Sequence, residues 1–435
     1  MSDLASTRAS QPSDVDPDYP LQIVPAHARK GVLSLGVVLL GFTFFTPTML
    51  AGASIAPAFS FGQFLTIALL GSIVLGVYVS ALGAVGARSG LTTVVMARYA
   101  FGEKGAKLVS LLLGGTQIGW YGVTVATLAL LTQQVTGLDG PLWRWILILG
   151  GGAVMGLTAY FGYRGMELLS AVSVPLLLVL AGWVTWRSLT EIGGLGGLGE
   201  VTGTGELTVA AAVTAIVGTF ASGGTQAPNW TRFARTPTQG FSSAAIAFIV
   251  GELLMIFFGG IGALAFGIGD FVEVLFALNL IGWGLVFLVA NLWTTNDNTA
   301  YNFGVAGAEL FNANTKKPFV IGGVVIGTLL ALPIYDNLIG YLSWLGILIP
   351  AIGGVLIGDH VANWRRGMPE PLAYRFPAVR WENVAVYAVA TLAAWISSRQ
   401  GILIPPVVAI VLAVVGAYAV GRRLTPDLGQ PVAAA

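Results

Sequence analysis

Cysteine is absent from this chain, and charge nearly so: Lys, Arg, Asp and Glu together make up 9% of its 435 residues. The first absence excludes disulfides and thiolate metal sites. The second excludes a soluble globule, because soluble domains carry roughly 25% charged residues. Histidine occurs only as His27 and His360, too few for a multi-histidine centre. The first 28 residues lack the apolar core of a cleaved signal peptide and read as a disordered cytoplasmic tail. Signatures of membrane enzymology are missing too: there is no metal-ligand pair, no Gly-x-Ser-x-Gly elbow, no HExxH and no P-loop. The Gly-rich run 194–199 lacks the Lys and Ser/Thr that a phosphate loop needs. A net charge of +1 says nothing by itself about partners; no nucleic acid and no obligate protein partner is expected.

What is present is hydrophobicity, at 55% of the residues, arranged in stretches of about 20, enough to cross a bilayer. The expected class is an all-α polytopic membrane protein with 12 transmembrane helices. The spans are placed at 31–52, 62–86, 104–134, 142–162, 166–187, 208–232, 240–268, 281–305, 318–335, 338–358, 382–398 and 402–421. The pieces 92–101 and 271–280 are too short to cross and read as interfacial or re-entrant helices. With the N-terminus inside, only Arg144, Arg187 and Arg399 of the 21 lysines and arginines fall outside, which is the positive-inside bias. Both termini are then cytoplasmic.

The first ten spans divide five and five about the polar, Gly-rich loop 188–206. An odd number of spans per unit forces opposite orientations, the arrangement of inverted-repeat transporters. The expected organisation is a tail (1–28), a first repeat (29–187), an outer loop (188–206), a second repeat (207–358), a cytoplasmic loop (359–381), two added helices (382–421) and a second tail (422–435). Irregularities at matching positions support the split: Gly41-Phe-Thr-Phe-Phe-Thr-Pro-Thr48 in span one and Thr219-Phe-Ala-Ser-Gly-Gly-Thr-Gln226 in span six. Gly, Pro and hydroxyl residues let a membrane helix unwind where it lines a cavity. Packing through small residues is the competing account. The two added helices read as lipid-facing, with no chemistry to assign.

The densest polar run in an apolar setting is Asn291-Leu-Trp-Thr-Thr-Asn-Asp-Asn-Thr-Ala-Tyr301. Asn291, Thr294, Thr295 and Asn298 recur at i, i+3, i+4 and i+7, one stripe of a helix. Hydroxyl and carbonyl oxygens on such a stripe suit a small hard cation, with interhelical hydrogen bonding as the alternative. Asn296 and Asp297 point elsewhere. In span three, Gln117 and Trp120 share a face, so that an amide lies beside an aromatic plane. That pairing suits a flat heterocycle, which stacks on the ring and meets the amide at its edge. Glu252 and Asp297 are carboxyls inside spans, and either could bind a proton.

At these motifs the sequence resembles the cytosine-permease branch of the nucleobase–cation symporter family. The matching stretches are Ala28-Arg-Lys-Gly-Val-Leu33, Gly41-Phe-Thr-Phe-Phe45, Gly90-Leu-Thr-Thr93, Leu112-Leu-Gly-Gly-Thr-Gln-Ile-Gly-Trp120 and Trp293-Thr-Thr-Asn-Asp-Asn298. The resemblance implies a leucine-transporter-like five-plus-five inverted repeat with two added helices in a bacterial inner membrane. It implies import of cytosine or a close pyrimidine by sodium symport with alternating access. Sodium would sit on the backbone carbonyls of Gly41 and Phe44, the Asn291 carbonyl and the hydroxyls of Thr294 and Thr295. Trp120 and Phe220 would stack on the base from either side. Gln117, Ser222 and Asn296 would read its edge, with span-six backbone near Thr219 contributing. The sequence departs from the family at Asn229, where an acidic residue is usual, at Thr219, where Ser is expected, and at Pro47. A proton-coupled carrier of a purine, hydantoin or hydroxymethylpyrimidine stays open as a rival, as does a passive channel or sensor. A membrane enzyme is not expected.

Overall fold

The computed structural model describes residues 16–335, 338–423 and 428–431. The first half carries α1 (Val32–Thr43), α2 (Thr46–Ile55), α3 (Phe61–Ser89), α4 (Thr93–Thr136), α5 (Pro141–Tyr160) and α6 (Tyr163–Glu191). A short α7 (Gly194–Gly199) follows. Then come α8 (Val209–Thr225), α9 (Pro228–Thr231), α10 (Pro237–Ala245), α11 (Glu252–Phe266), α12 (Phe271–Ala277) and α13 (Ile281–Leu310). The chain ends in α14 (Lys317–Leu329), α15 (Ala331–Tyr335), α16 (Leu338–Asp359), α17 (Trp381–Gln400) and α18 (Pro405–Arg423). Strands β1 (Tyr374–Arg375) and β2 (Gln430–Pro431) pair antiparallel. Among the described residues, seven helices are long and apolar enough to cross a membrane, and eight if the bent pair α1–α2 is one span.

Local chemistry sets the helix ends. Ser60 and Gln63 close a reciprocal capping box at the start of α3, and Gly90 ends it in the left-handed region. Thr92 caps α4. The expected short helix at 92–101 is joined to the following span through Gly102, whose φ of +80° breaks the helical path. A side chain there would also meet the Pro377 carbonyl at 2.7 Å. Between α2 and α11 the backbones touch: a Cβ on Gly52 would strike the Ile256 carbonyl, and one on Gly259 the Met49 carbonyl. α10 and α11 are one bent rod joined by a π turn at Ile246–Gly251.

Both breaks fall inside the expected segments, though not at the proline or the paired glycines. Span one turns by 57° at Phe44–Phe45, before Pro47. Pro47 sits in the first turn of α2, where its missing N–H costs nothing. Span six stays helical through Gly223–Gly224; its irregular residue is Phe220 (φ −122°, ψ 17°), and the helix ends at Thr225. The added helices also have a place at the protein's interior: Ser397, Gly401, Leu403 and Pro405 line a large cavity.

The expectation of a disordered tail up to residue 28 fails for residues 16–28; residues 1–15 lie outside the described range. Residues 16–30 form a strap across one end of the bundle. Asp18 pairs with Lys316 at 2.6 Å, and Asp16 accepts the Thr315 hydroxyl and the Lys316 N–H, each at 3.1 Å. Burial raises the Asp16 carboxyl, but the Lys316 charge and two backbone donors outweigh it and hold the group below its usual range. The buried Arg232 donates to the Tyr19 carbonyl (2.7 Å), to the Asp18 carbonyl and to the Tyr301 hydroxyl (2.8 Å). On the other side Val24 donates to the Gly90 carbonyl, and Tyr163 N–H to Asp18. The expected second tail, 422–435, is described only at 422–423 and 428–431.

Candidate functional site

The site grows from the break in span one. The helical path is interrupted at Phe44–Phe45, and α13 supplies partners for groups left over there. Asn291 Oδ1 accepts from both the N–H and the hydroxyl of Thr46, each at 2.7 Å. One turn along α13, Thr295 Oγ1 lies 3.3 Å from the Phe42 carbonyl, 3.4 Å from that of Phe44 and 3.3 Å from that of Asn291. A hydroxyl has one hydrogen, so at most one of these three carbonyls is satisfied by it. Four oxygens converging with one hydrogen among them form a donor set that fits a small cation. Thr294 Oγ1 is turned along its own helix, to the carbonyls of Ala290 (2.9 Å) and Asn291 (3.0 Å). Gly41 enters differently from expectation. The carbonyl beside Thr295 is that of Phe42, and Gly41 contributes its lack of a side chain, since a Cβ would strike Ser170 of α6. The buried Ser170 hydroxyl has no hydrogen-bond partner among the described residues. No cluster of three or more His, Cys, Asp or Glu exists among them either, so any cation here meets neutral oxygens.

Beside this oxygen cluster lies a cavity of about 10 Å³, bounded by Phe42, Phe45, Gln117, Trp120, Thr219, Phe220, Gly223, Thr295 and Thr299. Trp120 and Phe220 both face it, but they do not face each other across open space. The Phe45 ring stands between them, edge-on to Trp120 at 5.5 Å and to Phe220 at 5.9 Å. An aromatic already stands in the slot expected for a flat ring, and a cavity this size holds about one water.

Gln117 is fixed at both ends of its amide. Its Nε2 donates to Ser222 Oγ at 2.9 Å, and its Oε1 accepts from Asn302 at 3.3 Å. Asn302 accepts in turn from Asn229 at 2.7 Å, and Asn229 accepts the Thr93 N–H at 3.0 Å. A backbone N–H, whose polarity cannot flip, therefore sets the orientation of three successive amides. Ser222 also bonds Thr116 (2.5 Å) and stands behind the cavity wall, one bond from Gln117.

Asn296 is not brought to the cavity. Its amide points to the Tyr121 carbonyl (3.5 Å) and the Met155 sulfur (3.4 Å) on the far side of α4. α13 places 295 and 296 on different faces, so no rotamer choice puts both at the same cavity. Asp297 is likewise turned away, accepting from Asn298 at 2.9 Å. Glu252 is close: its Oε1 lies 2.7 Å from the Thr219 hydroxyl. Phe42, Phe45, Thr299, Asn302 and Asn229 were missed by the sequence reading. Thr295, Thr299 and Asn302 form a second stripe at i, i+4 and i+7, and that spacing was the available signal for two of them.

A second cavity, of about 610 Å³, reaches Trp120 and Thr219 from the opposite end to the strap, between Ser54, Thr208 and the Gly401–Pro405 corner. Arg144, Arg187 and Arg399 lie at the helix ends of that same side. The small site is thus approached from one end and sealed from the other.

Comparison with known proteins adds the following. Residues 23–421 match the family described as permease for cytosine/purines, uracil, thiamine, allantoin. The cytosine permease of Escherichia coli (strain K12) is 40% identical over 367 residues, covering 84% of this chain and 86% of that one. The hydantoin permease of Microbacterium maritypicum is 23% identical over 410 residues, covering 84% and 81%. Among solved structures, Mhp1, a nucleobase-cation-symport-1 family transporter in a closed conformation with bromovinylhydantoin bound, has the same fold. It superposes with a TM-score of 0.78 over 97% of both chains at 18% identity. A Na+-coupled sialic acid symporter in a substrate-bound outward-open state gives 0.67 over 97% and 95%, at 12% identity.

Proposed function

This chain belongs to the family of membrane permeases for cytosine/purines, uracil, thiamine and allantoin, a family of transporters and not of enzymes, and we propose that it imports cytosine by sodium symport with alternating access. The setting is a bacterial inner membrane with both termini cytoplasmic. The fold reads as twelve crossings: a five-plus-five inverted repeat (29–187 and 207–358, joined by the outer loop 188–206), with α17 and α18 added after the loop 359–381.

One observation carries this reading: the Thr295 hydroxyl converges with three backbone carbonyls on the wall of the cavity that also holds Gln117 and Trp120. The carbonyls of Phe42, Phe44 and Asn291 with the hydroxyl of Thr295 would hold sodium, with Gly41 allowing the close approach of α6 and Thr294 bracing α13 behind them, and its charge would bind the broken span to α13. Trp120 and Phe220 then stack on the base once Phe45 swings out of the slot. Gln117, held by Ser222 and Asn302, reads the polar edge. Asn296 has a supporting part in this scheme, behind Trp120, and Thr219 contributes at the span-six wall. The 610 Å³ cavity is the outer vestibule, and the strap at residues 16–30 is the closed inner gate. No chemistry is done on the solute; bound sodium and base bias the balance between outward and inward forms.

The test is uptake of labelled cytosine by proteoliposomes containing the purified protein, with and without an inward sodium gradient at fixed pH. Uptake that needs the gradient and is competed by unlabelled cytosine supports the reading. Uptake indifferent to sodium removes the coupling ion, and competition only by a purine or hydantoin removes the substrate.

A further inference from the structure

Among the described residues, Glu252 is the one carboxyl bonded to the wall of the cavity, and nothing in the scheme above uses it. It is fully buried at the start of α11, just after the π turn. Its Oε1 meets Thr219 Oγ1 at 2.7 Å, while Oε2 has no hydrogen-bond partner among the described residues. The Thr219 hydroxyl lies equally close, at 2.7 Å, to the Ile216 carbonyl, and Thr219 lines both the small cavity and the vestibule.

The elements packed around α11 offer Glu252 no counter-charge. α2, α8 and the π turn carry no titratable residue. α3 carries Tyr78, bonded to Thr225, and Arg88, bonded to the Arg365 carbonyl. α6 carries Tyr163, bonded to Ser34, with Arg164, Glu167, Arg187 and Glu191 towards its two ends; α12 carries Glu273. None of them bonds Glu252 among the described residues.

Counting hydrogens gives two states. If Glu252 is a carboxylate, the single Thr219 hydrogen belongs to it, and Thr219 can only accept from a solute. If Glu252 is a neutral acid, it donates its own hydrogen to Thr219, whose hydrogen is then free for the Ile216 carbonyl or for an acceptor in the cavity. We infer that Glu252 is a proton-binding site read out at the solute through Thr219, which donates to the bound ring only when Glu252 carries the proton. The exchange route is the hydroxyl itself. Vestibule water delivers a proton to a Thr219 lone pair as the original hydroxyl hydrogen passes to Glu252 Oε1. The hydroxyl is regenerated, the carboxylate becomes an acid, and only O–H bonds change. Release runs in reverse.

The inference rests on a nucleobase substrate, whose ring acceptors need a donor. In proteoliposomes at saturating sodium, the affinity for cytosine should fall about three- to tenfold from mildly acidic to mildly alkaline pH, the worth of one hydrogen bond. Glu252→Gln, whose amide always donates to Thr219, should hold the high affinity at every pH. Thr219→Val should be flat and low, and Thr219→Ser should restore the slope. A flat wild-type profile, or a Glu252→Gln profile like that of wild type, overturns the inference while leaving the transport reading intact. Infrared difference spectra need no solute. A carboxylic-acid C=O band that vanishes in Glu252→Gln and shifts in Thr219→Val upholds the site even if cytosine proves the wrong solute. Absence of such a band overturns it.

Discussion

A side-chain amide tells one base from another only if it cannot turn over. Gln117 is held by the series Thr93 N–H, Asn229, Asn302, so the orientation of its amide is set three residues away. Replacing Asn302 by Leu should let Gln117 flip and shrink the preference for cytosine over uracil by about 5- to 10-fold, the worth of roughly one mispaired buried group. Trp120→Ala should weaken every accepted base together, because stacking is blind to edge chemistry. Competition against labelled cytosine by a panel of bases separates the two patterns. Thr295→Ala removes a hydroxyl from the oxygen cluster and should raise the sodium concentration for half-maximal uptake about tenfold; an unchanged value would remove Thr295 from the site. That Asn291 and Thr295 meet the broken span was legible in the sequence because oxygens stand out in an apolar run, whereas Thr294 turns along its own helix. Phe45 was not, since a ring in a membrane span looks the same whether it fills core or blocks a cavity. Asn296 misled for a related reason: composition marks it as polar, and only the helix phase shows that it faces Tyr121 and Met155.

At the scale of elements, the break in span one belongs to Asn291 more than to Pro47. Asn291 supplies the acceptor for two Thr46 donors, whereas Pro47 occupies a helix start that many residues tolerate. Pro47→Ala should therefore keep sodium-dependent uptake within about twofold of wild type, a change under about 0.5 kcal/mol. Asn291→Ala should abolish it by leaving buried donors unpaired. Uptake measured side by side decides which residue holds the bend. The sequence pointed to the right segments here and to the wrong residues within them. Proline and glycine advertise where a helix can yield, but the residue that yields is chosen by what α13 offers opposite it, which no local pattern contains. The same limit applies to Phe220, which bends where Gly223–Gly224 stays helical. A Cβ on Gly223 would meet the Phe42 ring at 2.5 Å, so close packing with span one requires a glycine there.

For the molecule as a whole, the apolar blocks were enough to show a mostly helical chain with several membrane-spanning helices, but not the strap. Its acidic residues look like solvent-facing tail, and their partners lie beyond α13. The strap contacts Gly90 and Tyr163 on one side and Arg232 and Lys316 on the other, so an opening at this end must part it from one set. Lys316→Ala should favour that opening. The chain has no cysteine, so a single Thr299→Cys on the wall of the small cavity gives a clean probe of access from the strap side. A maleimide applied from the strap side should label that cysteine several-fold faster in Lys316→Ala than with Lys316 present. Equal rates would mean that the pair does not hold the gate.

The strap also has a birth order. Asp16 leaves the ribosome 300 residues before Lys316, its partner. At a synthesis rate of about 5–20 residues per second, that interval is roughly 15–60 s. Throughout it two acidic side chains lack their main cation, and Arg232 emerges only about three-quarters of the way through. The strap can thus close only after α13 is made and Lys316 emerges. A chain stopped short of that point retains an unlatched passage and an unpaired Arg232 neighbourhood, the kind of exposed polar defect by which unfinished membrane proteins can be told from finished ones.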